Sequence, residues 1–225
     1  MHQFWLIRHA LVHRHSLPYL YGTQDVPICD ETMETQAANY TLLATRLPRP
    51  ARLVCTPLTR TQLTADALER AGYPRQQRLI DPAFIEQNFG ELQGRPMSEF
   101  ETLHQGKRHP FWPMNAAETP PGGESFEQLI MRVGTGLEAL YKTADGTDTV
   151  IICHGGTIRA ACAYALELIP HQALCLQIDN ISLTRITYTR QGWRVLSINE
   201  HPYVRPFLKT DETLHPKVQN PGVTA

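Results

Sequence analysis

The residues of this 225-residue chain that could do chemistry fall in four short stretches. An arginine and a histidine are adjacent at Arg8-His9. A second arginine, Arg60, follows Cys55-Thr56-Pro57-Leu58-Thr59. A second histidine, His154, stands before Gly155-Gly156. One acid, Glu86, lies in Phe84-Ile85-Glu86-Gln87-Asn88-Phe89-Gly90, between an apolar pair and a glycine-containing turn. Guanidinium forks match phosphate oxygens in pairs and stay charged at any working pH. A neutral imidazole nitrogen can attack phosphorus in line and form a phosphoenzyme. A second imidazole can donate to an equatorial oxygen as charge develops. Glycines that open a helix expose backbone N–H groups to the same anion. Phosphoryl transfer is largely positioning plus electrostatic stabilisation. Brought together, these residues would attack with His9, hold phosphate with Arg8, Arg60, His154 and Gly155, and protonate the leaving oxygen from Glu86. Burial of Glu86 beside aromatics would favour the protonated form that a general acid requires.

Such convergence needs strands that deliver the residues to one edge. Phe4 to Ile7 is a continuous apolar run ending at Arg8-His9 and reads as a buried strand. Leu53-Val54-Cys55 and Thr149 to Cys153 read the same way, ending at Thr56-Pro57 and at His154. Helical spacing runs over Thr32 to Leu47, over Leu58 to Ala71 with Gly72 just beyond, and from His154-Gly155-Gly156 to about Leu168. Ser125 with Gln128 resembles a capping box, so a long helix is expected from Ser125 to about Tyr141. Ser182 to Tyr188 and Trp193 to Ile198 alternate around Arg190-Gln191-Gly192, the pattern of a hairpin. Strands alternating with helices predict an α/β layered, mostly parallel sheet, whose site lies beyond the carboxyl ends of its strands. Residues 90–123 are irregular and read as a lid-like insertion, with one short helix near Met97 to Leu103. The expected organisation is one domain over residues 1–205 and a C-terminal tail over 206–225.

The composition narrows the class. Hydrophobic residues are 42% and charged residues 19%, as in a soluble globular protein. The formal charge of -1 supplies no basic field for nucleic acid. No apolar stretch is long enough for a membrane span, and no signal peptide is legible, so a cytoplasmic location is expected. Five cysteines without regular pairing spacing read as thiols in a reducing compartment. No cofactor is expected. His9, His13 and His15 have irregular spacing and no Cys or carboxylate cluster beside them, so no metal site is expected. The expected partner is a small phosphorylated metabolite. The Ser182 to Ile198 hairpin could be an edge for a homodimer.

The motifs resemble the histidine phosphatase superfamily, also called phosphoglycerate-mutase-like. Leu6-Ile7-Arg8-His9-Ala10 is similar to its RHG signature. Cys55-Thr56-Pro57-Leu58-Thr59-Arg60-Thr61 with Thr64-Ala65 is similar to its second arginine motif. Glu86 to Gly94 is similar to the segment carrying its acid. Pro121-Gly122-Gly123-Glu124-Ser125 resembles the lead into a long helix, and Cys153-His154-Gly155-Gly156 resembles its second histidine motif. The order agrees from about residue 3 to residue 200. The resemblance implies a three-layer α/β/α fold and a metal-independent phosphatase. It implies Arg8, Arg60 and His154 as the phosphate pocket, His9 as nucleophile and Glu86 as proton donor. Tyr21-Gly22-Thr23-Gln24-Asp25-Val26-Pro27 resembles a stretch of the α-ribazole phosphatase-like subgroup, and because the equivalent glycine-containing turn touches substrate in the family's mutases, the resemblance implies Gly22 and Thr23 as substrate candidates. Two positions depart from the pattern. Ala10 stands where glycine is usual, and His15 where asparagine is frequent, which makes His15 a candidate for substrate contact.

Three other functions use parts of the same sequence. Cys153 to Arg159 spells C-x5-R, the spacing of cysteine-dependent phosphatases, in which a low-pKa thiolate is the nucleophile; the residue before Cys153 is Ile152 and not histidine. A mutase would keep the phosphoenzyme and exclude water behind a closing lid. A non-catalytic protein could bind phosphorylated ligands in the same pocket. His104, His109 and Trp112 could line the substrate side, and Glu91 is a second acid near Glu86.

Overall fold

A computed structural model of the protein describes residues 2–100 and 108–202. A six-stranded sheet runs through the centre. Its strands are β1 (His2–Arg8), β2 (Ala51–Cys55), β3 (Arg78–Ile80), β4 (Asp148–Cys153), β5 (Leu183–Thr189) and β6 (Gly192–Glu200). Across the sheet the order is β3-β2-β4-β1-β5-β6. β1, β4, β2 and β3 are mutually parallel, and β5 and β6 join as an antiparallel hairpin on the β1 side.

The continuous apolar runs are explained by burial on both faces. Side chains alternate along a strand. Phe4, Leu6, Val54, Ile151 and Cys153 therefore pack with α4 (Phe126–Lys142) and α5 (Gly155–Leu166). Ile7, Leu53, Cys55, Val150 and Ile152 pack on the opposite face with α2 (Ala37–Arg46) and α3 (Thr59–Arg70). The result is the expected three-layer α/β/α arrangement with a mostly parallel sheet. Each of these large side chains contributes about 1.5–3 kcal/mol by leaving water, so the three central strands carry much of the core.

Local signals hold at several ends. Ser125 and Gln128 form the reciprocal capping box that starts α4. Glu167, in the left-handed conformation, ends α5. The helix expected over Thr32 to Leu47 is two helices, α1 (Asp30–Thr35) and α2, broken at Gln36. β3 has no counterpart among the expected strands: it is short, and Leu79 and Ile80 are exposed, so neither alternation nor a buried run marks it. Short α6 (Pro170–Ala173) follows α5.

Residues 90–100 are tied to the segment after β1, with Leu20 N–H donating to Arg95 O and Gly94 N–H to Leu20 O. Leu20, Phe89, Phe100 and Met114 form a small satellite core there, with Trp112 against it. The helix expected near 97–103 lies partly, and His104 and the 206–225 tail wholly, outside the described residues. No helix among the described residues is long and apolar enough to cross a membrane.

Candidate active site

The parallel register brings the motif ends to one edge. Arg8 pairs with Cys153, and Cys55 with Ile152, so β1, β4 and β2 finish side by side. His9 follows β1, His154 follows β4, and Arg60 rises from the first turn of α3. The rings of His9 and His154 have centroids 5.1 Å apart.

His9 is held at both sides. Its N–H donates to Cys153 O at 2.9 Å, and Asn180 Nδ2 donates to its carbonyl at 2.8 Å. Its Nδ1 lies 2.6 Å from Ala10 O. A carbonyl can only accept, so Nδ1 carries the proton and Nε2 keeps its lone pair. Burial, then Arg60 and Arg8, hold the His9 pKa well below its usual value. The ring is therefore held in its neutral form, with the Nε2 lone pair unprotonated. Ala10 does not strain this turn: it is absent from the residues with positive φ, its methyl packs in the α2/α3 core, and its N–H donates to Thr64 Oγ1 at 2.8 Å.

Arg60 is fully buried. Its Nε donates to His154 Nδ1 at 3.2 Å, its Nη1 to Gln24 O at 2.8 Å and its Nη2 to Gly22 O at 2.6 Å. Tyr21 lies under the guanidinium at 5.3 Å. One arginine thus ties the second histidine to the 22–25 loop. Asp25 holds that loop from the other side by accepting Thr59 N–H at 3.1 Å at the start of α3.

His154 differs from the expected arrangement in one respect. A guanidinium only donates, so Nδ1 of His154 accepts and the proton sits on Nε2. That proton goes to Thr56 Oγ1 at 3.0 Å. Both ring nitrogens are therefore engaged, and in this arrangement His154 has no donor left for phosphate. Burial first, then Arg60, His9 and Arg8, push its pKa well down. A dianion beside it would offset the arginine contributions.

Glu86 lines the cavity from across the site. Its Oε2 accepts Gly156 N–H at 3.1 Å and its Oε1 accepts Gln87 N–H at 3.0 Å. Glycine at 156 lets Glu86 approach: a Cβ there would stand 2.3 Å from Glu86 Oε1 and 3.1 Å from Trp112 Cη2. Glu91, the other acid of that segment, is exposed and outside the cavity lining.

A cavity of about 410 Å³ opens beside these groups, with His9, Arg60 and His154 buried and outside its lining. Arg8, Glu86, Gly155 and Gly22 reach it, and Trp112, Tyr19 and Phe111 form an aromatic wall. Gly22 has φ +44, and a Cβ there would collide with Gln93, Gln87 and Phe89. Thr23 sits behind it, with N–H and Oγ1 both on Gln93 Oε1. His15 is not brought to the cavity; it is exposed and stacks on His13 at 4.8 Å. His109 is buried against His171 at 4.3 Å and is outside the lining. Among the described residues no three His, Cys, Asp or Glu side chains are arranged to hold a metal ion.

Cys153 does not have the setting of a nucleophile. It is fully buried, and burial pushes its thiol well above the usual value, whereas reactive cysteines are electropositive and partly exposed. Thr56 bonds His154, Thr64 bonds Ala10 and Asn180 bonds His9, and sequence reasoning did not single them out. Thr64 had a signal in the Thr64-Ala65 pair; Asn180, 171 residues from its partner His9, had none.

The model of the Histidine phosphatase superfamily (branch 1) matches residues 4–201, and the chain belongs to that family. A Yersinia enterocolitica protein named "Probable phosphoglycerate mutase GpmB" is 24% identical over 193 residues, covering 86% of this chain and 88% of that protein. A mycobacterial glucosyl-3-phosphoglycerate phosphatase superposes with a TM-score of 0.74 at 22% identity, covering 89% of this chain and 100% of that one. An α-ribazole phosphatase from Shigella flexneri gives 0.71 at 19% identity, covering 88% and 96%. The structural likenesses establish a shared fold.

Proposed function

We propose that this protein hydrolyses the phosphate monoester of a small metabolite through a phosphohistidine on His9. The observation that carries the reading is the Nδ1 contact to Ala10 O, which leaves a neutral ring with Nε2 unprotonated. The Nε2 lone pair attacks phosphorus, and the bond from phosphorus to the ester oxygen breaks. Glu86 gives its proton to the departing oxygen. Water then attacks the phosphohistidine, Glu86 takes the water's proton, and the P–N bond breaks to release phosphate. Arg8 and Arg60 offset the charge of the transferred group throughout. His154 orients Arg60 by accepting its Nε–H at Nδ1.

Leu17, Tyr19 and Phe111 line the cavity and are exposed, so the cavity is open to solvent, which favours hydrolysis over mutase chemistry. The name of the Yersinia relative keeps the mutase reading as the one to test against. The experiment is acid-quenched turnover of a phosphorylated-metabolite panel, with 3-phosphoglycerate plus bisphosphoglycerate as the mutase arm. Release of inorganic phosphate with acid-labile label on His9 is expected. Isomerisation without release would make the protein a mutase, and absence of label on His9 would remove the covalent mechanism.

A further inference from the structure

Two features of the site have no part in this chemistry. The first is Arg8 Nε, which is buried and has no hydrogen-bond partner. Arg8 spends Nη1 on Ile178 O at 2.6 Å, so the guanidinium is fixed while one of its donors faces nothing. Buried donors are almost always paired, and a donor left open at a binding site points to an acceptor that arrives with the ligand. The second is Arg159, on α5 one turn beyond Gly155. As the arginine of the C-x5-R spacing it would serve a Cys153 thiolate, but Cys153 is buried with its thiol pushed up.

The two features meet at one point. A Cβ built on Gly155 would lie 3.2 Å from Arg159 Nη1 and 3.3 Å from Arg8 Nε. Both donors therefore close over the same glycine, at the positive end of the twelve-residue helix α5. Arg159 is held for this position. Its Nε donates to Leu176 O at 2.7 Å, and the guanidinium stacks on Trp112 at 5.2 Å. Among the described hydrogen bonds none engages its Nη1 or Nη2, and the side chain lines the cavity beside Arg8 and Glu86.

We propose that Arg159 is a third phosphate-binding arginine, whose Nη1 and Arg8 Nε share the anion above Gly155. The charges are consistent with it. Burial first and then Arg8 lower the Arg159 pKa to about 10, so the group stays cationic at pH 7 in a site that already holds Arg8 and Arg60. Crowded, desolvated cations are an unfavourable resting arrangement that an incoming dianion relieves. Gly155 is glycine for the same reason: a side chain would occupy the gap between the two donors.

The inference rests on the phosphatase reading, and its test separates the two. Inorganic phosphate is titrated by calorimetry into the wild-type protein, Arg159→Lys, Arg159→Gln and Arg159→Met. Turnover of p-nitrophenyl phosphate and thermal melting are followed on the same samples. Arg159→Met is expected to weaken phosphate binding and raise KM by about tenfold or more, the worth of one charge-assisted hydrogen bond, with Arg159→Lys in between. A residue that only anchors Leu176 would lower the melting temperature and leave phosphate affinity alone. Wild-type phosphate affinity in Arg159→Met, or within twofold of it, overturns the proposal. If Arg159→Met does not fold, the same outcome in Arg159→Gln does so, because the shorter, uncharged amide cannot supply the cationic anion contact. A wild-type protein that binds phosphate but turns over no ester would reject the phosphatase reading and leave the Arg159 site standing.

Discussion

Replacing Gly156 with alanine separates the acid from the rest of the site. The added Cβ would stand 2.3 Å from Glu86 Oε1, against an ordinary contact of 3.4 Å or more. The carboxyl is the far end of a flexible side chain, so it retreats by about 1 Å and the fold survives. Trp112 at 3.1 Å gives by a few tenths. Alanine also favours the helix by roughly 1 kcal/mol over glycine, which offsets part of that crowding. A misplacement of about 1 Å costs on the order of 100-fold in a positioned catalytic group, within the range of general-acid contributions. The loss should depend on the leaving group. An alkyl phosphate needs the proton, so its kcat should fall about 100-fold. p-Nitrophenyl phosphate expels a stable phenolate and should lose less than about tenfold. Steady-state kinetics on both esters, with melting curves as the control for folding, read this directly. An alkyl phosphate kcat within about threefold of wild type in a folded Gly156→Ala protein would refute the placement of Glu86 as the proton donor.

Acid should destabilise the fold through its buried rings. His9 and His154 are held well below the usual histidine value by burial and by Arg60. The unfolded chain therefore binds protons near pH 6.5 that the folded chain refuses. Stability is full above pH 6.5 and is lost as pH falls, by up to about 1.4 kcal/mol per pH unit for each ring. Urea titrations between pH 7.5 and 5.5 should show it, and a His9→Asn, His154→Gln double variant should be flatter, retaining the part due to His2 and His109; equal slopes would dismiss the account. Cys153→Ala should keep phosphatase activity within about threefold while costing about 1 kcal/mol of packing, because the thiol is buried and protonated. Complete loss of turnover in a folded Cys153→Ala protein would restore the cysteine-dependent mechanism.

Much of the layered fold was legible because its central strands are buried on both faces. Phe4 to Ile7, Leu53 to Cys55 and Thr149 to Cys153 had to be apolar throughout, and each ended at a chemical motif. β3 left no such trace, since its Leu79 and Ile80 face solvent. The break at Gln36 was hidden because helical periodicity continues on both sides of it. His15 matched a position of interest in the motif, yet its exposed ring stacks on His13. Glu86 lines the cavity and Glu91 is exposed outside it, a difference set by how the chain turns at Phe89 and Gly90.

The sequence by itself determined the kind of chemistry: two arginines, two histidines and one acid at strand and helix ends, in an order that belongs to one family. Tertiary structure decided the protonation pattern within that set. Nδ1 of His9 is pinned by its neighbour Ala10, but Nδ1 of His154 is set by Arg60, 94 residues away, and its Nε2 by Thr56, 98 residues away. Arg159 likewise lines the cavity only because α5 sets it beside Arg8. A hydrogen bond between distant residues is fixed by packing, and spacing along the chain carries no record of which nitrogen it engages.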